Sequence, residues 1–380
     1  MLNRRTLRIK AFQTLFAYRQ SKEANYNIAI ENIAQRFAPD LNSMEEQIPE
    51  VLKAKKTEAQ KIFKAEYKNP SYDCIIGSGD DINECVNNQI RLYHQQLGKD
   101  ARYFKKDMVN KVEKLRDFSI FALYLLVELR KQAESDTRRN HSNFVKNLLI
   151  SGLSSNKSFE NAYLRSELKW DPFQQEIREW FKNILRKDEE YLKFLALENP
   201  SIKDQREILL YIVKSIIFGN EIIQDFMEEM DIQWIEDKPI VKSLATKTIK
   251  TISENPEEQF DLPEISYHWE EDKEFFVDLY ENSLLIEGEY TDLISKNAKN
   301  WDIDRLAISD RIILEMAIAE LLNFTSIPIK VTINEYIELS KKYSTPKSKT
   351  FVNGMLDAIS EILSNEGKIK KSGRGLIDNK

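Results

Sequence analysis

Glycine and proline each occur only ten times in 380 residues, about half or less of their ordinary usage of roughly 7% and 5%. Few positions can therefore end a helix or turn a hairpin. Lysine and glutamate are abundant, valine is sparse, and no segment alternates strictly between apolar and polar residues. Such a pattern argues against half-buried strands. The chain is expected to be all-α, with enough residues for two domains or one elongated helical body.

Punctuation along the chain predicts where these helices lie. Asn3 is placed to cap a first helix through about Gln20, with Leu7, Ala11, Leu15 and Tyr18 on one flank and Phe12 and Phe16 beside them. A second segment carrying Ile30, Ile33 and Phe37 ends at Pro39, and a charged helix over 42–68 stops at Asn69-Pro70. After a loop containing Gly77-Ser78-Gly79, helical sequence runs from Ile82 to Glu134, with room for a break at Gly98. Further breaks are expected near Ser151-Gly152, Asn199-Pro200, Asp237-Lys238-Pro239 and Asn255-Pro256. Five more helices are expected over 273–286, 288–298, 303–323, 332–343 and 349–364, and residues 365–380 read as a disordered basic tail.

Chemistry-bearing residues are thinly spread. His94, His141 and His268 have no ligand-spaced partners, and the bland reading of His94 and His141 is a solvated side chain. Cys74 and Cys85 lack a second ligand pair, so neither zinc nor any other metal or cofactor is expected. Gly77-Ser78-Gly79 lacks the lysine of a phosphate-binding loop. With no nucleophile, base and oxyanion site in sight, neither an enzyme nor a small-molecule substrate is expected. Two cysteines, no secretory h-region and no apolar run longer than Phe118–Val127 point to a cytoplasmic protein without a membrane span.

Net charge is −6, but it is segregated. Residues 1–22 hold Arg4, Arg5, Arg8, Lys10, Arg19 and Lys22 and no acid, whereas 254–274 carries nine acidic residues and a single lysine. Segregation of this kind steers partners more than the sum does. Arg4, Arg5 and Arg8 cluster on the first two turns of a helix, where phosphate binding would offset their unfavourable interaction with the helix dipole. A solvated basic terminus accounts for them equally well. Gln13 could read a base edge or face water. Lys347 and Lys349, exposed by the break at Pro346 and followed by Phe351, suit single-stranded RNA, although Phe351 also fits a core position.

Around that turn, Thr332 and Glu335 are spaced as a capping box with Val331 and Tyr336 as the staple. Asn353-Gly354 interrupts an apolar face made by Phe351, Val352, Met355, Leu356 and Ile359. A mid-helix glycine costs about 1 kcal/mol relative to alanine, which suggests a closely approaching backbone or a ligand.

The block from Ile327 to Asp357 resembles the C-terminal part of the NusB family. Asp310-Arg311-x-Ile313-Leu314, Ala319-Glu320-Leu321, Ile327-Pro328, Ile333-Asn334-Glu335 and Phe351 to Asp357 recur in order, and Arg4-Arg5-x-x-Arg8-x-x-Ala11-Phe12-Gln13-x-Leu15-Phe16 resembles the family's arginine-rich first helix. The resemblance implies an RNA-binding transcription antitermination factor that binds boxA-like single-stranded RNA together with the small-subunit ribosomal protein NusE. It would join the RNA polymerase antitermination complex and support ribosomal RNA transcription. Carried over by position, it implies RNA contacts at Arg4, Arg5, Arg8, Gln13, Lys347, Lys349 and Phe351, and partner contacts at Phe16 and Asp310. Thr332, Asn334, Glu335, Asn353 and Gly354 are read as architectural. Lys347 stands where some members carry an acid. On this reading residues 1–38 and 266–364 form a NusB-like helical bundle and 39–265 is an inserted helical region. Replacing Arg4, Arg5 and Arg8 is then expected to weaken RNA binding without unfolding. A helical protein–protein scaffold using the same fold without RNA is the alternative. An RNA methyltransferase would need a glycine-rich cofactor loop that the chain lacks.

Overall fold

The computed structural model describes residues 2–40, 47–72, 81–255, 258–288, 290, 293–294 and 306–377. The described residues are helical with no β-strand, an all-α architecture. They fall into two compact units, Arg4–Val109 with Glu274–Lys380, and Met1–Asn3 with Asn110–Lys273. Gly77-Ser78-Gly79, Cys74 and most of the helix expected over 288–298 lie outside the described residues.

The first of these units begins with α1 (Arg4–Arg36), one helix of 33 residues where two were expected. No glycine or proline separates Gln20 from Ile30, so nothing in the backbone stops it. Its two halves bury different faces. Leu7, Ala11, Phe12, Leu15 and Tyr18 are buried near the start, and Ala29 and Ile33 near the end. The latter meet α2 (Pro49–Glu66) and the start of α3 (Asp81–Ser135) in a small core with Phe37, Ala59, Phe63, Cys85, Val86 and Ile90. Pro49 opens α2, where a missing N–H costs nothing. Gly98 does not break α3, because a lone glycine in a helix is only a modest penalty.

The other half of α1 packs on the last helices. These are α11 (Trp269–Ile286), α12 (Ile308–Asn323), α13 (Ile329–Tyr343) and α14 (Ser348–Asn365). The centre is α12, buried almost all round from Ile312 to Leu321, as a helix enclosed by neighbours must be. Two carboxylates are buried with it, Glu315 and Glu320.

Glu320 explains the start of α13. The helix begins at Ile329, with Pro328 at the N-cap position, a turn ahead of the expected capping box. Thr332 is thus inside the helix, and its Oγ1 donates to Glu320 Oε1 at 2.9 Å instead of capping. Val331 is exposed and staples nothing. Tyr336 OH donates to Glu320 Oε2 at 3.1 Å. From α1, Arg8 donates Nε to Oε2 (2.7 Å) and Nη2 to Oε1 (2.8 Å). Four donors from two helices saturate one carboxylate.

The tail expected to be disordered is held to the bundle as far as Gly375. Gly367, at φ +68°, ends α14 while Lys368 N–H donates to Leu363 C=O. Ser372 N–H then donates to Thr325 C=O at 3.0 Å, and Lys371 Nζ to Phe324 C=O at 3.0 Å. At Gly375 a Cβ would lie 2.1 Å from Thr325 O, so only glycine permits this approach.

The unit of residues 110–273 has its own core. Its helices include α4 (Leu148–Ser155), α5 (Lys157–Arg165), α6 (Gln174–Asn183), α7 (Glu189–Leu195), α8 (Ile202–Tyr211), α9 (Glu221–Met230) and α10 (Trp234–Thr251). Trp170 stacks on Phe121 with ring centroids 3.8 Å apart, and its Nε1 donates to Phe121 C=O. Trp234 donates Nε1 to Gln224 Oε1. His141 is buried, not solvated, between Tyr191 OH and Asp136. Two expected breaks are absent, since Ser151-Gly152 lies within α4 and Pro239 within α10. No described helix is long and apolar enough to cross a membrane.

Removing one partner of a buried ion pair costs about 3–5 kcal/mol. Glu320→Ala should therefore lower unfolding free energy by that amount in urea titrations, whereas Glu335→Ala, which loses a surface pair only, should cost about 1 kcal/mol or less.

Candidate nucleic-acid interface

Helix α1 brings its arginines against α11, α12 and α13, but in unequal roles. Arg8 is 5% exposed and locked to Glu320, with its guanidinium 5.2 Å from the Phe275 ring centroid. Burial works against its charge, yet the Glu320 charge and hydrogen bonds raise its pKa above the usual arginine value. Arg8 is thus unable to meet RNA, a correction to the expected contact set. Its replacement would also destabilise a fold that the sequence suggested it would spare. Arg4 is half-buried, 4.8 Å from the Phe275 centroid. Arg5 is the outward member, its side chain 58% exposed and bidentate to Glu335 at 2.9 and 2.8 Å. Gln13 is half-buried, and its Oε1 is enclosed with no hydrogen-bond partner among the described residues, so that oxygen is turned away from any base edge.

On the other side, Lys347 and Lys349 are exposed at the start of α14. Phe351 is 8% exposed and belongs to the core, so it is no stacking platform. Asp310 is equally enclosed. Its Oδ2 accepts from Ser348 Oγ at 2.7 Å, and Ser344 Oγ donates to Ser348 Oγ at 3.0 Å. The expected partner contact is instead the anchor that fixes the turn between the two lysines. Phe16 is half-buried against Phe12, at 6.3 Å between centroids.

Of the residues read as architectural, Thr332 bonds Glu320 and Glu335 pairs with Arg5. Asn334, Asn353 and Gly354 face outward. Asn353 bonds only its own helix, at Asp357, and a Cβ on Gly354 would meet nothing within 4 Å. Among the described residues, no backbone outside its own helix approaches that glycine.

A depression of about 320 Å³ joins the two basic segments, lined by Arg5, Arg8, Ile9, Glu335, Glu338, Leu339, Lys341 and Lys342. Glu338 reports the surrounding charge. Its pKa is lowered first by the hydrogen bond from Lys341, then by the charges of Lys341, Arg5 and Lys349. An anion in its place would meet the same cations. Lys341, Lys342 and Glu320 carry this site without having been singled out as site residues. Nothing local in the sequence marks Glu320 as a hub.

Further along α1, Arg19 contacts Glu315 at 2.5 Å and Glu287 at 2.6 Å, and Lys22 also reaches Glu287. Arg311 Nε lies 3.6 Å from Glu315. Burial nonetheless raises the Glu315 carboxyl from its ordinary 4.5 to about 7, outweighing Arg19, with the Glu287 charge adding to the rise.

A model of the NusB family matches residues 221–361. Among relatives, the transcription antitermination protein NusB of Salinibacter ruber is 47% identical over 105 residues, 28% of this chain and 66% of that protein. The proteins of the same name from Chloroherpeton thalassium and Dictyoglomus turgidum are 51% identical over 85 residues and 39% over 104. These matches cover 22% and 27% of this chain, and 40% and 70% of the respective relatives. The chain thus spans less than two thirds of the first two relatives' length. No solved structure matches it. The chain belongs to the NusB family.

Glu315 holds its proton in the folded state at pH values where the unfolded carboxyl has lost it. Its contribution to stability is therefore complete below pH 4.5 and declines as pH rises toward about 7. The stability difference between the native chain and Glu315→Gln should fall by about 3 kcal/mol across that window, measured by urea unfolding at each pH.

Proposed function

We propose that the protein is a cytoplasmic, non-enzymatic RNA-binding factor of transcription antitermination. It binds boxA-like single-stranded RNA with the small-subunit ribosomal protein NusE, within the RNA polymerase antitermination complex that sustains ribosomal RNA synthesis. The observation that carries this reading is the docking of α1 on α12 and α13, which sets Arg5 beside Lys341 and Lys342 with Lys349 in electrostatic reach of the same Glu338. Phosphates following that edge would replace the carboxylates of Glu335 and Glu338 as partners of these cations. The relatives' name, transcription antitermination protein, fits it.

The RNA contacts proposed are Arg5, Lys341, Lys342, Lys347 and Lys349, with Arg4 at the margin. Phe16 and the outward face of Asn334, Asn353 and Gly354 are left for the protein partner, because a glycine whose Cβ position meets nothing among the described residues admits a close approach from outside. Asp310 acts on RNA only by holding the lysine turn. The insertion is proposed to be residues that extend the compact bundle, part packed on α1 and part forming the unit of residues 110–273.

The test is binding of a boxA-like RNA by fluorescence anisotropy across a salt series. Lys347→Ala with Lys349→Ala should weaken binding and lower the slope of log K against log salt by about 0.7 for each phosphate left unneutralised. The melting temperature should be unchanged. Arg8→Ala should instead lower the unfolding free energy by about 3–5 kcal/mol, the cost of leaving Glu320 buried without its charge partner. Full affinity and an unchanged slope in the double lysine variant would remove this surface from consideration.

A further inference from the structure

A second cleft, of about 790 Å³, lies in the same unit between the later half of α1, the end of α2, the start of α3 and helices α11 and α12. Tyr26, Tyr67 and Tyr93 line it together with Lys22, Lys68 and Arg311. The three tyrosines come from α1, the C-cap of α2, and α3, none of them within the segment that matches the family model. Their rings brace one another, with Tyr26 and Tyr67 centroids 4.8 Å apart and Tyr67 and Tyr93 5.7 Å apart. Phe63, fully buried, and Tyr93, only 3% exposed, back Tyr26 and Tyr67, whose half-buried rings are the faces left to the cleft. His94 Nε2 lies 2.9 Å from Tyr67 C=O and fixes the end of α2. Since a carbonyl only accepts, that nitrogen carries the proton.

Packing alone does not require hydroxyls on all three rings, as Phe63 shows. None of the three hydroxyls has a hydrogen-bond partner among the described residues. Burial raises the pKa of Tyr26 and Tyr93, so both remain O–H donors. Lys68 stands exposed at the rim, its Nζ 5.9 Å from the Tyr67 centroid. Lys22 shares Glu287 with Arg19, and Glu23 also lines the wall, so the cleft is not a strong anion trap. Aromatic faces, unengaged donors and a few cations of modest excess fit a nucleotide, whose base stacks and whose single phosphate needs little charge.

We propose that this cleft holds one or two nucleotides of single-stranded RNA, beyond the stretch bound along the Arg5–Lys349 edge. The assignment rests on the RNA-binding reading above but uses different residues, so the two can fail separately. It gives the residues packed on α1 a role in lengthening the RNA footprint.

The full chain is photo-crosslinked to 4-thiouridine-substituted RNAs of about 8 and about 20 nucleotides, with the crosslinked peptides mapped by mass spectrometry and affinities measured by anisotropy. With the longer RNA, crosslinks are expected on the peptides holding Tyr26 and Tyr67. Lys68→Glu, on an exposed side chain, and Tyr26→Leu, which keeps apolar volume, should each weaken the longer RNA by roughly tenfold and leave the shorter one unchanged. Unchanged melting curves exclude unfolding as the cause. Cleft crosslinks that survive Lys347→Ala with Lys349→Ala would support the cleft even if the edge fails. Crosslinks confined to residues 341–351, with native affinity in Lys68→Glu, would overturn the cleft and leave the edge standing. No binding of either RNA by the native chain would overturn both.

Discussion

A single carboxylate organises the bundle. Glu320 is fully enclosed and accepts hydrogen bonds from Arg8, Thr332 and Tyr336. A buried carboxylate is tolerable only when its charge is paired and its lone pairs are filled. Both conditions hold only if α1 and α13 dock on α12 in one register, because sliding α1 would strand a charge in the apolar interior and sliding α13 would leave lone pairs of the carboxylate unfilled. The interaction thus specifies geometry beyond what apolar packing demands. The nearness of Arg5 to Lys341 and Lys342 follows from that register.

The polar groups beneath the surface divide the labour with those above it. Arg8, Lys10 and Arg19 are mostly enclosed, so half of the basic residues in the first 22 are directed inward. What is left outward is a narrower edge than residue counting suggests. Its shape depends on Asp310 below Ser348 as much as on the lysines themselves.

The helical class was legible because it rests on local facts, the scarcity of glycine and proline and the absence of alternation. So was the family, because its short patterns are local and ordered. The arginine roles were not. Arg8 and Arg5 look alike in sequence, and what separates them is a glutamate 312 residues from one and a surface glutamate 330 residues from the other. Thr332 fits a capping box by spacing, but its hydroxyl goes to a tertiary acceptor while the helix starts a turn earlier. The tail carries the composition of a disordered segment, and only the proximity of Thr325 reveals why Gly375 is there.

The separation of Arg8 from Glu320 has a further consequence, in time. Chains are synthesised from the N-terminus at about 5–20 residues per second. Arg8 and the apolar flank of α1 therefore leave the ribosome roughly 15–60 s before the carboxylate that receives them. For that interval α1 can bury only its later half, against α2 and α3. The early half, with Leu7, Ala11 and Leu15 uncovered, is the part of the nascent chain most in need of a chaperone.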